Sequence, residues 1–202
     1  VSIAYNNGAG EFNSVEEIKY QNDKKHPTSV ATGDLDGDGD IDIVTSQIQQ
    51  ILSASQPFQN VGMILLYNQG DGTFEQVWFP FDGNPSMSVV ADITGDEKPD
   101  LIVGDNGDLS LEAQLVGQFE PGITIYENLG NREFIEKQNI ITDGSIVYLN
   151  YTDYDGDGHH DLIALSQGAI TINELFQIEF VDRAIYIHKG SELGIPTAPS
   201  QT

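Results

Sequence analysis

A run of alternating aspartates constrains this 202-residue chain more than any other feature of its sequence. The stretch GDLDGDGDID, residues 33–42, places an aspartate at every second position and a glycine on either side of Asp38. Carboxylates at this spacing repel one another, and glycine permits sharp turns that a side chain would obstruct. Such a stretch is either a solvated acidic tract or a loop that folds around a cation.

The acidic stretch occurs three times at a nearly constant interval. Its copies begin with Asp34, Asp92 and Asp153, which are 58 and 61 residues apart. They read GDLDGDGDIDIV (33–44), ADITGDEKPDLIV (91–103) and TDYDGDGHHDLIAL (152–165). Self-similarity at a fixed period of this length is typical of solenoids and propellers.

A second motif keeps the same period. It reads AYNNGAGEF (4–12), LYNQGDGTF (66–74) and YENLGNREF (126–134), and each copy joins a glycine-rich turn to a phenylalanine. Two motifs in one phase make chance similarity a poor explanation. The chain is therefore predicted to repeat one structural unit of about 60 residues.

Each unit is predicted to contain four short strands and no long helix. An alternating apolar run precedes the acidic loop, a continuous apolar run follows it, and the glycine-rich turn joins two further strands. Four-stranded repeats stacked around a centre are blades of a β-propeller, so the fold class predicted is all-β. The predicted boundaries are a partial blade at 1–16, whole blades at 27–83 and 86–142, and a partial or terminal blade at 145–202.

Two whole and two partial blades are too few to close a propeller, which typically has four to eight. Two interpretations stay open on this point. Either the chain is a piece of a longer propeller, or two copies form a homodimer in which each completes the other.

The first acidic loop has the spacing of a cation site. Asp34, Asp36, Asp38 and Asp42 hold positions 1, 3, 5 and 9, and Asp40 at position 7 is expected to contribute its main-chain carbonyl. Oxygen ligands without histidine or cysteine suit a hard cation, Ca²⁺ before Mg²⁺. The third loop matches this pattern with Asp153, Asp155, Asp157, His159 at position 7 and Asp161.

The second loop departs from the pattern. Asp92, Asp96 and Asp100 keep positions 1, 5 and 9, Thr94 replaces a carboxylate at position 3, and Lys98 holds position 7. Position 6, a glycine in the other loops, is Glu97. Up to three calcium ions are expected, with the weakest at this loop. No copy is an EF-hand, because position 12 is Thr45, Val103 or Ala164 instead of a bidentate glutamate.

The period, the D-x-D-G-D-G-x-x-D loops and the glycine-rich YN turns resemble the FG-GAP/VCBS repeats of calcium-binding β-propellers, including the integrin α-subunit head. The resemblance covers nearly the whole chain. It implies that calcium lies between the first two strands of each blade and that ligands meet the opposite face. In this chain the loops of that face would be 46–62, 105–121 and 167–183, together with the shorter 20–28, 80–87 and 139–146.

Composition narrows the function. A net charge of −24 disfavours nucleic acid and anionic membrane surfaces as partners, because both bind basic faces, and no apolar run is long enough for membrane insertion. No catalytic constellation is recognisable in the sequence. The prediction is an extracellular or cell-surface module for adhesion, or for binding a carbohydrate or protein ligand, with structural Ca²⁺. The alternative is the propeller domain of an enzyme resembling polysaccharide lyases or sugar dehydratases.

Overall fold

The computed structural model describes residues 1–19, 26–48, 62–107, 120–168, 170–172, 178–180, 183–191 and 195. This part of the chain contains fifteen β-strands and no helix, so the all-β prediction is confirmed. Every strand pairing within it is antiparallel. The strands are β1 (Ser2–Asn6), β2 (Phe12–Glu17), β3 (His26–Gly33), β4 (Asp42–Ile48), β5 (Gly62–Asn68), β6 (Phe74–Pro80), β7 (Pro85–Ala91), β8 (Asp100–Asp105), β9 (Gly122–Gly130), β10 (Glu133–Ile141), β11 (Ile146–Thr152), β12 (Asp161–Ser166), β13 (Ile170–Ile172), β14 (Ile178–Phe180) and β15 (Ala184–His188).

Two sheets have four strands each and follow chain order. They are β3-β4-β5-β6 and β7-β8-β9-β10, and a third sheet, β11-β12-β15, repeats the first three strands of the same pattern. The hairpins β1-β2 and β13-β14 form two separate two-stranded sheets. No sheet in the described ranges closes on itself.

Two of the three strands that follow the acidic loops, β4 and β8, are buried on both faces, whereas Leu165 of β12 is exposed. In β4 and β8 every residue with a described side chain is buried, as the continuous apolar runs in the sequence predict. The sheets therefore pack face to face. Val44 and Leu65 pack with Leu101 and Val103 of the next sheet, and Ile102 and Ile125 pack with Leu162 of the third.

The first strands of successive sheets are joined by side-chain hydroxyls. The Thr28 hydroxyl on β3 donates to the carbonyl oxygen of Ser86 on β7 at 3.0 Å. The Ser86 hydroxyl in turn bonds the carbonyl oxygens of Gly104 and Ile146, the latter on β11. These contacts repeat at the period of the sequence and hold β3, β7 and β11 side by side.

Replacing Ser86 by alanine is expected to destabilise the chain by about 1–3 kcal/mol, because buried polar groups lose a hydrogen-bond partner. Thermal unfolding should show a midpoint lower by roughly 2–4 °C per kcal/mol. Ser14→Ala is the matched control, since Ser14 lies exposed on β2. An Ser86→Ala chain as stable as the Ser14→Ala chain would contradict this role for the hydroxyl.

The hairpin β13-β14 differs from the sequence prediction, which treats 167–183 as a loop. Ile170 pairs with Phe180 and Ile172 with Ile178. The segments ITI and IEF are rich in residues that favour strands, which accounts for local pairing inside a long connection. Most of the predicted ligand-face loop 46–62 lies outside the described residues, as do 108–119 and 173–177.

Candidate metal centre

The first acidic loop is wound around the carboxylate of Asp34. This carboxylate accepts the backbone N–H groups of Gly37 and Gly39 at 2.8 and 3.0 Å. Both glycines have φ in the left-handed region, at 79° and 94°, which explains why the loop requires glycine there. Asp153 holds the third loop in the same way, through the N–H groups of Gly156 and Gly158.

The carboxylate at position 9 links each loop to the end of a neighbouring strand. In the first loop Asp42 is fully buried, and its two oxygens accept the N–H of Leu35 at 2.7 Å and of Asn68 at 2.8 Å. Burial raises the pKa of the Asp42 carboxyl, although these two hydrogen bonds act in the opposite direction. In the third loop Asp161 likewise accepts two backbone N–H groups, those of Tyr154 and Gly190, which correspond to Leu35 and Asn68 in the first repeat.

This linking role of position 9 was missed by sequence reasoning, which assigned it only to the metal. The available signal was the asparagine of the glycine-rich turns, Asn68 and Asn128, which keeps the same period as the loops. The backbone N–H of Asn68 donates to Asp42, and that of Asn128 donates to Asp100, in each case from the third strand of the sheet. A carboxylate with this many backbone donors is fixed in place without a metal.

The structure brings together three carboxylates in each of two loops. Asp34, Asp36 and Asp42 each offer an oxygen within 4.8 Å of the others. Asp153, Asp155 and Asp161 form the equivalent group in the third loop. These are positions 1, 3 and 9, so this spacing could hold a metal ion at each loop.

Positions 5 and 7 lie outside these groups. The Asp38 carboxylate is exposed and accepts the N–H of Asp40 at 2.8 Å. Asp157 accepts the N–H of His159 at the same distance. Each position-5 carboxylate therefore closes a local turn with the residue two positions later.

One buried oxygen of the first loop has no hydrogen-bond partner. The Asp36 side chain is only 10% exposed, and its Oδ1 atom is buried without a partner in the described part of the chain. An unpaired buried carboxylate oxygen is costly. The residues of this loop thus fit a bound cation, because they supply oxygens only and one of them is unsatisfied.

Basic side chains pair with position 3 of both loops. Arg132 bonds Asp36, and Lys189 Nζ lies 2.7 Å from Asp155 Oδ2. The hydrogen bond from Lys189 lowers the pKa of the Asp155 carboxyl. In both cases the bonded atom is Oδ2, and at Asp36 this leaves Oδ1 without a partner.

The carboxylates of the second loop are all satisfied by protein donors. Every carboxylate oxygen of Asp92, Asp96 and Asp100 accepts at least one hydrogen bond. Lys98 Nζ lies 2.6 Å from Asp96 Oδ2, and this contact lowers the pKa of the Asp96 carboxyl. The Thr94 hydroxyl donates to the other oxygen of Asp96 at 3.1 Å. Among the described residues this loop shows no group of three carboxylates like the other two.

Glu97 occupies a strained backbone position in the second loop. Its φ is 67°, where Gly39 and Gly158 take 94° and 92° in the other loops. A left-handed conformation costs a non-glycine residue about 1 kcal/mol. Glu97→Gly is therefore expected to stabilise the chain by up to about 1 kcal/mol in urea unfolding. Glu11→Gly, at an exposed turn residue, is the control, and a destabilised Glu97→Gly chain would contradict the strain.

The opposite ends of the strands carry buried polar groups. Gln47, near the end of β4, and Asn84, before β7, are buried, and their side-chain amides have no hydrogen-bond partner in the described part. Asp105, which ends β8, accepts the N–H of Asn84 at 2.7 Å. Burial raises the pKa of the Asp105 carboxyl.

Comparison with known proteins identifies the repeat. Residues 1–45 match the sequence model of the FG-GAP-like repeat, which confirms the resemblance that the loops and turns indicate. The matched segment contains the first acidic loop and the first glycine-rich turn. No curated protein matches the chain. No helix that could span a membrane occurs in the ranges the structure describes.

Proposed function

We propose that this chain is a calcium-binding domain of the β-propeller type, in which the sheets are blades and two calcium ions are held by the first and third acidic loops. The FG-GAP-like repeat supports a propeller-type repeat domain. The observation that carries the metal proposal is the buried, unpaired Oδ1 of Asp36 within a group of three carboxylates. The hydroxyl contacts between the first strands of successive sheets support the proposed arrangement of the sheets around one axis.

Asp34, Asp36 and Asp42 would hold the first ion, and Asp153, Asp155 and Asp161 the second. A bound calcium ion would neutralise the carboxylates of its loop and join the loop to the strand that follows it. The chain needs such neutralisation, because its net charge of −24 destabilises the compact state through self-repulsion. The loop is also held by the protein itself, because the carboxylates at positions 1 and 9 accept backbone N–H groups.

Two ions are proposed instead of three. The Lys98 ammonium group takes the place of a cation at the second loop, since it neutralises Asp96 and leaves no carboxylate oxygen of the loop without a donor. A metal ion at this loop would have to compete with these hydrogen bonds. The sequence expectation of a weak second site therefore becomes a proposal of no calcium site there.

The domain is proposed to work outside the cell. Sites in extracellular calcium modules bind with dissociation constants of about 0.1–1 mM, and only the calcium concentration outside the cell is high enough to fill such sites. Its ligand is proposed to be a carbohydrate or a protein on the face opposite the loops. The unpaired amides of Gln47 and Asn84 support a polar ligand, because amides hydrogen-bond to hydroxyl groups in pairs.

An array of glycans and extracellular proteins tests the ligand proposal. The chain should bind a ligand in calcium, lose that binding in chelator, and lose it again in the Asn84→Ala variant. Asn13→Ala, at an exposed residue of β2, is the matched control. Binding that survives both the chelator and Asn84→Ala would contradict the proposal, and the appearance of cleaved glycan products would favour the enzyme alternative.

A further inference from the structure

Arg132 holds a backbone conformation that is unusual for its residue type. Its φ is 66°, and the corresponding residues of the other two glycine-rich turns are Gly10 and Gly72, each with φ of 86°. The chain thus carries a strained arginine where glycine serves in the other copies. Strain of this kind persists where the side chain has a task that outweighs it.

The contacts of Arg132 all lie in the preceding repeat. Its Nε and Nη2 atoms donate to Asp36 Oδ2 at 3.0 and 2.8 Å. Its Nη1 atom donates to Glu75 at 2.7 Å, and the guanidinium lies 4.0 Å from the centroid of the Tyr67 ring. The planar guanidinium is thereby fixed by a carboxylate on two sides and by an aromatic ring on its face.

Asp36 is the carboxylate that these contacts orient. With Oδ2 taken by two donors of one guanidinium, the carboxylate cannot turn, and Oδ1 stays buried without a partner. Asp36 belongs to the group of three carboxylates formed with Asp34 and Asp42, and Oδ1 is its oxygen without a protein donor. A second contact between the repeats supports the same loop, since Asn128 Nδ2 donates to the carbonyl oxygen of Leu35 at 2.9 Å.

We propose that Arg132 is a positioning residue for calcium at the first loop. It acts from the neighbouring repeat by orienting the carboxylate of Asp36. This inference rests on the proposed function. Partners that orient a metal ligand typically change metal affinity by 10–100-fold when they are removed. The Arg132 contacts also make calcium binding by one repeat depend on the docking of the next.

The positive charge of Arg132 would act in the opposite direction, because it repels a nearby cation. The two effects have opposite signs and can be separated by experiment. If positioning dominates, removal of the guanidinium weakens calcium binding. If repulsion dominates, removal strengthens it.

Calcium titration by calorimetry, on a parent chain whose third loop is silenced by Asp153→Asn and Asp155→Asn, provides the test. Arg132→Gly in this parent should bind calcium at least tenfold more weakly, and it should still fold because glycine suits the turn. Lys137→Ala is the control, since it removes one positive charge that pairs with Glu127 on the same sheet. Its calcium affinity should change by less than about twofold. Arg132→Lys, which keeps the charge but loses the planar fork, should also bind more weakly than the parent.

Unchanged or tighter calcium binding by Arg132→Gly would overturn the positioning role. A parent that binds no calcium, beside an unmutated chain that binds one ion, would exclude the first loop as a site and overturn the role as well. An unmutated chain that binds no calcium at all would instead remove the proposed function. Circular dichroism in chelator confirms for each variant that altered affinity does not reflect a failure to fold.

Discussion

Calcium is expected to raise the melting temperature of the chain by roughly 6–20 °C over its value in chelator. At 10 mM calcium, sites with dissociation constants of about 0.1–1 mM each contribute about 1.4–2.7 kcal/mol to the free energy of unfolding. Two sites therefore contribute about 3–5 kcal/mol, and a chain of this size gains roughly 2–4 °C per kcal/mol. Differential scanning calorimetry in calcium and in chelator measures the shift.

A variant with Asp36→Asn and Asp155→Asn is the matched comparison for this experiment. These changes keep the size of both side chains and remove one carboxylate charge from each proposed site. Most of the calcium-dependent shift should disappear, whereas Asp71→Asn, at an exposed residue of a turn without a proposed metal, should retain it. A full shift in the double variant, or none in the unmutated chain, would contradict the placement of the ions.

Asp100→Ala is expected to cost about 3–5 kcal/mol with calcium and in chelator alike. Asp100 is fully buried, and its carboxylate accepts the N–H groups of Ile93, Thr94 and Asn128 at 2.8–3.1 Å. Alanine would leave three donors unpaired, one of them buried and two partly buried, and a buried donor without a partner costs about 1–3 kcal/mol. The loop carries no calcium in this account, so the loss should not depend on the metal. Urea unfolding in both buffers measures it.

Two milder variants keep the prediction testable if the Asp100→Ala chain does not fold. Asp100→Asn keeps an acceptor oxygen of the same shape and should lose less stability than Asp100→Ala. Asp96→Ala removes an exposed ion pair with Lys98 and should cost less than about 1 kcal/mol. If Asp100→Ala lowered the free energy of unfolding only in calcium, the second loop would be a metal site. The proposal that the Lys98 ammonium group takes the place of a metal ion would then be wrong.

Much of the fold follows from the sequence because each unit is repeated. The period of the acidic loops and glycine-rich turns indicates the unit, and the continuous apolar runs after Asp42, Asp100 and Asp161 predict strands buried on both faces. This burial is found in β4 and β8, whereas Leu165 of β12 is exposed. The pairing of β13 with β14 does not follow, because a short hairpin inside a long connection has no counterpart in the other repeats. The contacts of Ser86 were equally hidden, since a serine at a strand end has no signature in one sequence.

The site is predictable in its ligands and less so in their roles. Spacing alone identifies Asp34 and Asp36, because a loop of alternating carboxylates and glycines leaves few other arrangements. The spacing does not distinguish the role of position 9, whose carboxylate accepts backbone hydrogen bonds between strands, from that of position 5, whose carboxylate closes a local turn. Arg132 could not be assigned from sequence, because its partner Asp36 is 96 residues away and only the docking of two sheets brings them together.

The number of calcium ions bound per chain is the most direct test of the central claim. Calorimetric titration of the unmutated chain, with atomic emission to count the ions retained after equilibrium dialysis, should give two. The Lys98→Asp variant, which removes the ammonium group and adds a carboxylate at the second loop, should raise the count to three. A count of zero would contradict calcium binding altogether, and a count of three in the unmutated chain would contradict the role of Lys98.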